Sequence, residues 1–365
     1  MIDRRLFVHF DWLVFAVTIS LSIIGIINIY SATLMDGSTT IYYEKQLIWF
    51  IIGFCFMMFI AFINYIHLER LAYIIYFVSI IFLIITFFAG RTTAGATRWL
   101  NIGFISFQPS EFAKIALIII LSKYLISTRI QHKGMSLRDL LLPSLIAFIP
   151  FILILKQPDM GTAAITFLIF ASIIIFANVR MKTLIGIILI FLPLIPFTWH
   201  FLKDYQKTRI MSFIDPSADP LGTGYHILQS KIAIGSGGFL GKGFTNGTQG
   251  QLRFLPEHHT DFIFSVLAEE WGFIGSFIVL SLLFVLVLWG LNIAQNAKDK
   301  HGAFLAFGVS FMFLWHILVN ICMVTGMLPV VGVPLPFISY GGSFLVTTMI
   351  GAGILMNVSM RRVIF

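Results

Sequence analysis

Ten stretches of this chain are apolar for long enough to cross a bilayer, near 12–30, 46–65, 71–89, 110–127, 140–156, 163–179, 184–202, 273–294, 303–323 and 342–358. A hydrocarbon core about 30 Å thick needs about 17–25 helical residues, because every backbone N–H and C=O inside it must be satisfied within its own segment. The runs therefore predict an all-α polytopic membrane protein with ten transmembrane helices. Composition agrees: with 58% hydrophobic residues and 39 Phe among 365, too little polar surface remains to coat a water-soluble globule. One integral domain, 1–365, is expected, without an internal repeat or an appended soluble domain. The opening Met1-Ile2-Asp3-Arg4-Arg5 precedes an apolar run with no small-residue cleavage site and reads as a retained anchor.

Charge placement orients the helices. Basic residues gather at alternate connections: Arg4 and Arg5, then Arg70, then Lys123, Arg129, Lys133 and Arg138, then Arg180 and Lys182, then Lys298 and Lys300, and last Arg361 and Arg362. Cytoplasmic loops carry the excess of Lys and Arg, so both termini are expected in the cytoplasm. The net charge of +8 is then membrane topology and no sign of nucleic-acid binding. Outer loops are left at 31–45, 90–109, 157–162 and 324–341, with one large outer loop, about 203–271, between helices seven and eight. Cys55 and Cys322 each sit in an apolar run, where a thiol behaves as a small hydrophobe, so neither a disulfide framework nor a metal site is inferred.

The large loop concentrates polar chemistry. Lys203, Lys207 and Arg209 stand among aromatic and aliphatic residues, suited to the interface near anionic phosphates. IGSGGFLGKGFTNGTQG surrounds Lys242 with glycines that can bring backbone N–H groups to a phosphate, although Ser236 and Gly243 break the Walker A pattern. LPEHHTDFIFSVLAEEWG carries Glu257, Asp261, Glu269 and Glu270 in a chain that is only 11% charged. Thr260 is a reasonable helix N-cap, which would set the Asp261 carboxylate at a helix start on the outer surface. His258 and His259 are adjacent, point different ways and lack a third nitrogen ligand nearby, so no structural metal is expected.

Inside the bundle, QPSEFAKIALII places Glu111 and Lys114 three residues apart on one helix face. An unpaired charge at a helix centre costs about 2.5–3.5 kcal/mol, so the two should face inward and meet each other. Asp159, in KQPDMGT, and Arg98, in GATRWLNIG, would lie on the same outer side.

GATRWLNIGFISFQPSEFAKIA, KQPDMGT, TRIMSFIDPSADPLGTGYHILQSKIAIGSGGFLGKGF, GTQGQLRFLPEHHTDFIFSVLAEEWGFIG and PLPFISYGGS, in this order, resemble the SEDS family of bacterial shape, elongation, division and sporulation proteins over essentially the whole chain. The wording around GSGGFLGKGFTNGTQ is closer to the RodA-type elongation branch than to the FtsW-type division branch. The resemblance implies a peptidoglycan glycosyltransferase that polymerises lipid II on the outer face of the bacterial cytoplasmic (inner) membrane. It further implies a class B penicillin-binding protein, a transpeptidase, as partner, with lipid II and the nascent glycan strand as ligands. Asp261 matches the family's required aspartate, Glu111 and Lys114 its charged cavity pair, and Asp159, Arg209 and Lys231 further motif positions.

Such a reaction needs a base for the attacking sugar hydroxyl, which Asp261 can supply. It also needs positive charge for the departing pyrophosphate: Arg209, Lys231, Lys242 or Arg253, with a divalent cation such as Mg or Mn, are the candidates, and Asp159 and Arg98 are further substrate-binding candidates. By analogy the anomeric configuration inverts. A lipid II flippase, an FtsW-type division polymerase and a noncatalytic scaffold remain alternatives from sequence.

Overall fold

The computed structural model describes residues 8–34, 39–93, 96–102, 105–127, 134–191, 193, 200, 204–215, 222–251 and 259–362. The chain runs through α1 (Trp12–Thr33), α2 (Thr39–Phe62) and α3 (Tyr65–Ala89). Three short strands follow, β1 (Arg91–Thr93), β2 (Ala96–Ile102) and β3 (Ile105–Phe107). Next come α4 (Pro109–Ser127), α5 (Leu137–Lys156), α6 (Met160–Phe176) and α7 (Met181–Phe191). The expected large loop holds α8 (Asp204–Ile214), α9 (Thr223–Ser236) and the single turn α10 (Thr248–Gln251). Three helices close the chain: α11 (Ile263–Gln295), α12 (Lys300–Val324) and α13 (Gly342–Arg361).

Seven helices, α1, α2, α3, α5, α11, α12 and α13, are long and apolar enough to cross a membrane. The other three expected crossings coincide with α4, which carries Glu111, Lys114 and Lys123, with the 17-residue α6, and with α7. Of the expected crossing 184–202, the residues beyond Phe191 other than 193 and 200 lie outside the described residues. The strands, which apolar periodicity did not foretell, form an antiparallel meander with Thr92 opposite Thr97 and Leu100 opposite Phe107.

Helix α13 and the first half of α4 are buried on nearly every side and make the centre of the bundle, whereas α3 exposes Tyr73, Phe77, Ile81 and Phe88. That inversion suits a lipid solvent, in which close backbone packing replaces hydrophobic burial as the cohesive term. At Gly353 of α13 an added Cβ would lie 2.6 Å from the Met57 carbonyl of α2, so these helices approach to backbone contact.

Polar ties mark the two ends of the bundle. At one end the Asp11 carboxylate accepts from Trp289 Nε1 at 3.0 Å, from Val14 N at 3.1 Å and from the Ser359 hydroxyl, bringing the start of α1, the far part of α11 and the end of α13 together. The described chain ends therefore share one side, where connectivity also gathers Arg70, Lys123, Arg180, Lys182, Lys298 and Arg362. At the other end Ser31 donates to Glu270 at 2.5 Å and Gln46 donates to the Ser339 carbonyl at 3.3 Å.

Helix α11 departs most from the sequence expectation. It begins at Ile263, close to the helix start expected at Asp261, and continues into the crossing expected from 273, bending at Gly272, whose φ of 64° and ψ of −158° break the helical ladder. Freed donors and acceptors around the bend are taken by the glycine-rich segment: Phe273 N donates to Gly238 O at 2.9 Å, Lys242 N to Glu269 O at 3.0 Å and Gly243 N to Glu270 O at 3.0 Å. A Cβ on Gly272 would lie 2.3 Å from Gly241 N, so only glycine permits this approach.

Candidate active site

Asp261 lies in the turn that leads into α11. Thr260 does not cap the helix as expected; α11 begins at Ile263 with Phe262 in the N-cap position and no side-chain cap bond. The Asp261 backbone carbonyl accepts from Asn320 Nδ2 at 2.9 Å, and the same amide donates to Val333 O at 2.7 Å. Its carboxylate rests on Gly332, where φ is 70° and an added Cβ would stand 3.2 Å from Oδ2. The segment 325–341, between α12 and α13, is thus the floor under Asp261.

Two residues upstream, the His259 ring packs against Tyr42 and Tyr340, with centroids 4.7 and 5.7 Å away, and its carbonyl accepts from Tyr340 N at 3.0 Å. Burial, and then the neighbouring Tyr42, raises the Tyr340 phenol above its ordinary pKa, so it stays protonated at neutral pH. Among the described residues no three His, Cys, Asp or Glu side chains gather to hold a metal ion. Asp261 offers one carboxylate there, which fits a hydrated Mg²⁺ carried chiefly by substrate phosphates and does not fit a dedicated protein cage.

The expected charged pair is formed. Lys114 Nζ lies 2.8 Å from Glu111 Oε2 on α4, and both side chains are almost wholly buried. Lys114 has a second partner that the sequence reading missed, His316 Nε2 at 2.7 Å, and His316 Nδ1 lies 3.3 Å from Pro334 O. A carbonyl only accepts, so Nδ1 carries the proton and Nε2 receives the Lys114 hydrogen bond. The signal for this was a His and an Asn four residues apart in the apolar FMFLWHILVN, hence on one face of α12.

Arg98 and Asp159, far apart in sequence, also meet. Arg98 Nε is 3.5 Å from Asp159 Oδ2, and Arg98 Nη2 donates to Pro158 O at 3.1 Å. Asp159 is buried and caps α6, accepting from Thr162 N at 3.2 Å and Thr162 Oγ1 at 2.9 Å. Two residues after Asp159, a Cβ at Gly161 would fall 2.6 Å from Val331 O, so the start of α6 abuts the same floor.

The N–H groups of Gly241, Lys242 and Gly243 are spent on the carbonyls of Gly237, Glu269 and Glu270. The Lys242 ammonium also turns back, to the fully buried Glu269 at 2.5 Å. Lys231, on α9, instead lies across Gly326 at the start of the floor, where an added Cβ would be 2.7 Å from Nζ. Helix α9 is pinned by Ser230, 2.7 Å from Ser265 Oγ and 2.6 Å from Val324 O. Arg209 is half-buried on α8, which packs on α9. Arg253, like Glu257 and His258, lies outside the described residues. Asp261, Lys231, the Glu111–Lys114–His316 chain and the base of α6 therefore converge on 325–341 from different sides, while Lys242 belongs to the clamp around the bend of α11.

The whole architecture has known counterparts. A family model for the cell cycle proteins FtsW, RodA and SpoVE matches residues 11–363. The peptidoglycan glycosyltransferase MrdB of Escherichia coli K12 is 40% identical over 361 residues, covering 97% of this chain and 95% of that protein. Among solved structures, a chain of a peptidoglycan synthase complex, solved for its structural coordination of polymerization and crosslinking, superposes with a TM-score of 0.83 at 30% identity, covering 98% of this chain and 99% of that one. The rod shape determining protein RodA of Thermus thermophilus superposes with a TM-score of 0.71 at 25% identity, covering 97% and 98%. With its motifs, its bundle and these likenesses in register over nearly its full length, the chain belongs to the FtsW/RodA/SpoVE family of cell cycle proteins.

Proposed function

We propose that the protein is a RodA-type peptidoglycan glycosyltransferase of the bacterial inner membrane, polymerising lipid II into glycan strands during elongation, with Asp261 as general base. The observation that carries this is the seating of Asp261 on Gly332, at the end of the bundle opposite the basic connections. The basic connections support a cytoplasmic Asp11 end; on this reading ten crossings would put both termini inside and Asp261 at the outer face, within reach of a lipid-borne sugar.

The 4-hydroxyl oxygen of the acceptor sugar bonds to the anomeric carbon of the donor as the bond from that carbon to the lipid pyrophosphate breaks. The hydroxyl proton passes to Asp261, and the pyrophosphate leaves with the electron pair. Lys231 and Arg209 are proposed to face that developing negative charge. Asp261 is the residue that would hold a divalent cation here, and such a cation would supply further charge compensation for the leaving pyrophosphate. Lys242 and Asp159 act in this scheme by holding the bend of α11 and the cap of α6, with Arg98 fixing Asp159. Likeness to a chain of a synthase complex that joins polymerization to crosslinking supports a class B penicillin-binding protein as partner.

The test is reconstitution. Purified protein in liposomes containing lipid II should yield glycan strands, and adding the partner transpeptidase should add crosslinking. Translocation of lipid II across the bilayer without any polymer would favour the flippase and overturn this reading.

A further inference from the structure

Three consecutive residues of the floor are held or used in three different ways. Gly332 faces the Asp261 carboxylate, the Val333 carbonyl accepts from Asn320, and the Pro334 carbonyl accepts from His316. Pro334 has no N–H, so no regular backbone ladder can fix this stretch, and its carbonyls need side-chain donors. Asn320 and His316 stand one turn apart on the same face of α12. Both are almost fully buried, where polar groups are retained only with partners. The Asn320 amide nitrogen spends both hydrogens, one on Val333 O and one on Asp261 O, which also fixes the orientation of the amide. His316 in turn is backed by Lys114 and, through it, by Glu111.

We infer that Asn320 and His316 are positioning residues for the Asp261 carboxylate. Asn320 ties the aspartate backbone to its floor, and His316 ties the floor to the buried Glu111–Lys114 pair, so the charged pair acts on turnover through the register of residues 332–334. This rests on the reading of Asp261 as base.

The experiment measures initial rates of lipid II polymerisation against lipid II concentration for wild type, Asn320→Leu, His316→Asn, His316→Gln and Asp261→Asn, each purified and checked for monodispersity. Displacement of a catalytic group by about 1 Å costs up to about 100-fold, so Asn320→Leu should lose about 10- to 100-fold in kcat with KM within about threefold. An asparagine amide falls near the place of Nδ1 and keeps the donor for Pro334, whereas a glutamine carbonyl falls near Nε2 and keeps only the Lys114 contact. His316→Asn should therefore retain more kcat than His316→Gln, and this pair decides the matter if Asn320→Leu does not fold. An inactive Asp261→Asn beside an Asn320→Leu of wild-type kcat, or a His316→Gln that outperforms His316→Asn, overturns the inference alone. Full turnover by Asp261→Asn removes the parent reading and this one together.

Discussion

The Lys242 ammonium meets the Glu269 carboxylate at 2.5 Å, and that carboxylate also accepts from Thr248 N and Thr248 Oγ1 at 2.9 Å and from Gln249 N at 3.1 Å. A buried anion so fully satisfied organises the glycine-rich segment over the bend of α11. Hydrogen bonds to a charged group contribute about 1.5–3 kcal/mol, and residues in one network couple by about 0.5–3 kcal/mol. A double-mutant cycle of Lys242→Met and Glu269→Gln on thermal stability should therefore show coupling of about 1 kcal/mol or more. Simple additivity would contradict the clamp.

The bend itself admits no side chain. At Gly272 the φ of 64° is joined to a backbone nitrogen 2.3 Å from an added Cβ, and backbone cannot step aside as a long side chain can. Gly272→Ala is expected to abolish the monodisperse folded species in detergent. Gly186, on α7 with open space around its Cβ position, should accept alanine without loss of that species.

Gly332→Ala places strain and bulk beneath the catalytic candidate. Left-handed backbone costs a non-glycine residue about 1–2 kcal/mol, and the new Cβ at 3.2 Å presses on Asp261 Oδ2. Turnover should fall by about tenfold or more, as small displacements of a reacting group do. Steady-state kinetics checks this, and an unchanged kcat would separate Asp261 from its floor.

Glu111 and Lys114 should be far more sensitive singly than together. Removing one partner leaves an uncompensated buried charge, worth about 3–5 kcal/mol, whereas replacing both with neutral groups of like size is often nearly neutral. Thermal denaturation should rank Glu111→Gln and Lys114→Met well below the double substitution. Equal damage by all three would show that the pair does not act as a unit.

What the sequence made legible follows from what a bilayer enforces. Apolar runs announce crossings, and Glu111 and Lys114 announced each other because two charges three residues apart in hydrocarbon must share a face and a partner. The meander at 91–107 was missed because its short strands carry no helical period and its pairing is local to a loop. The fusion of the helix start near Asp261 with the crossing from 273, through the bend at Gly272, was missed because only the folded glycine-rich segment supplies the partners of Glu269 and Glu270. The floor was least visible: MLPVVGVPLPFISYGG reads as an apolar, proline-broken connection. Its role depends on Asn320 reaching 59 residues back along the chain to the Asp261 carbonyl. Register of that kind is long-range and leaves no local pattern.

The central claim is tested most directly by Asp261→Asn, which keeps the size of the side chain and removes its basicity. A general base contributes about 100- to 10,000-fold, so polymerisation of lipid II by the purified variant should fall by that factor while lipid II binding and thermal stability stay at wild-type values. Polymerisation within about threefold of wild type would contradict the account, since a base in the reaction is worth far more than that.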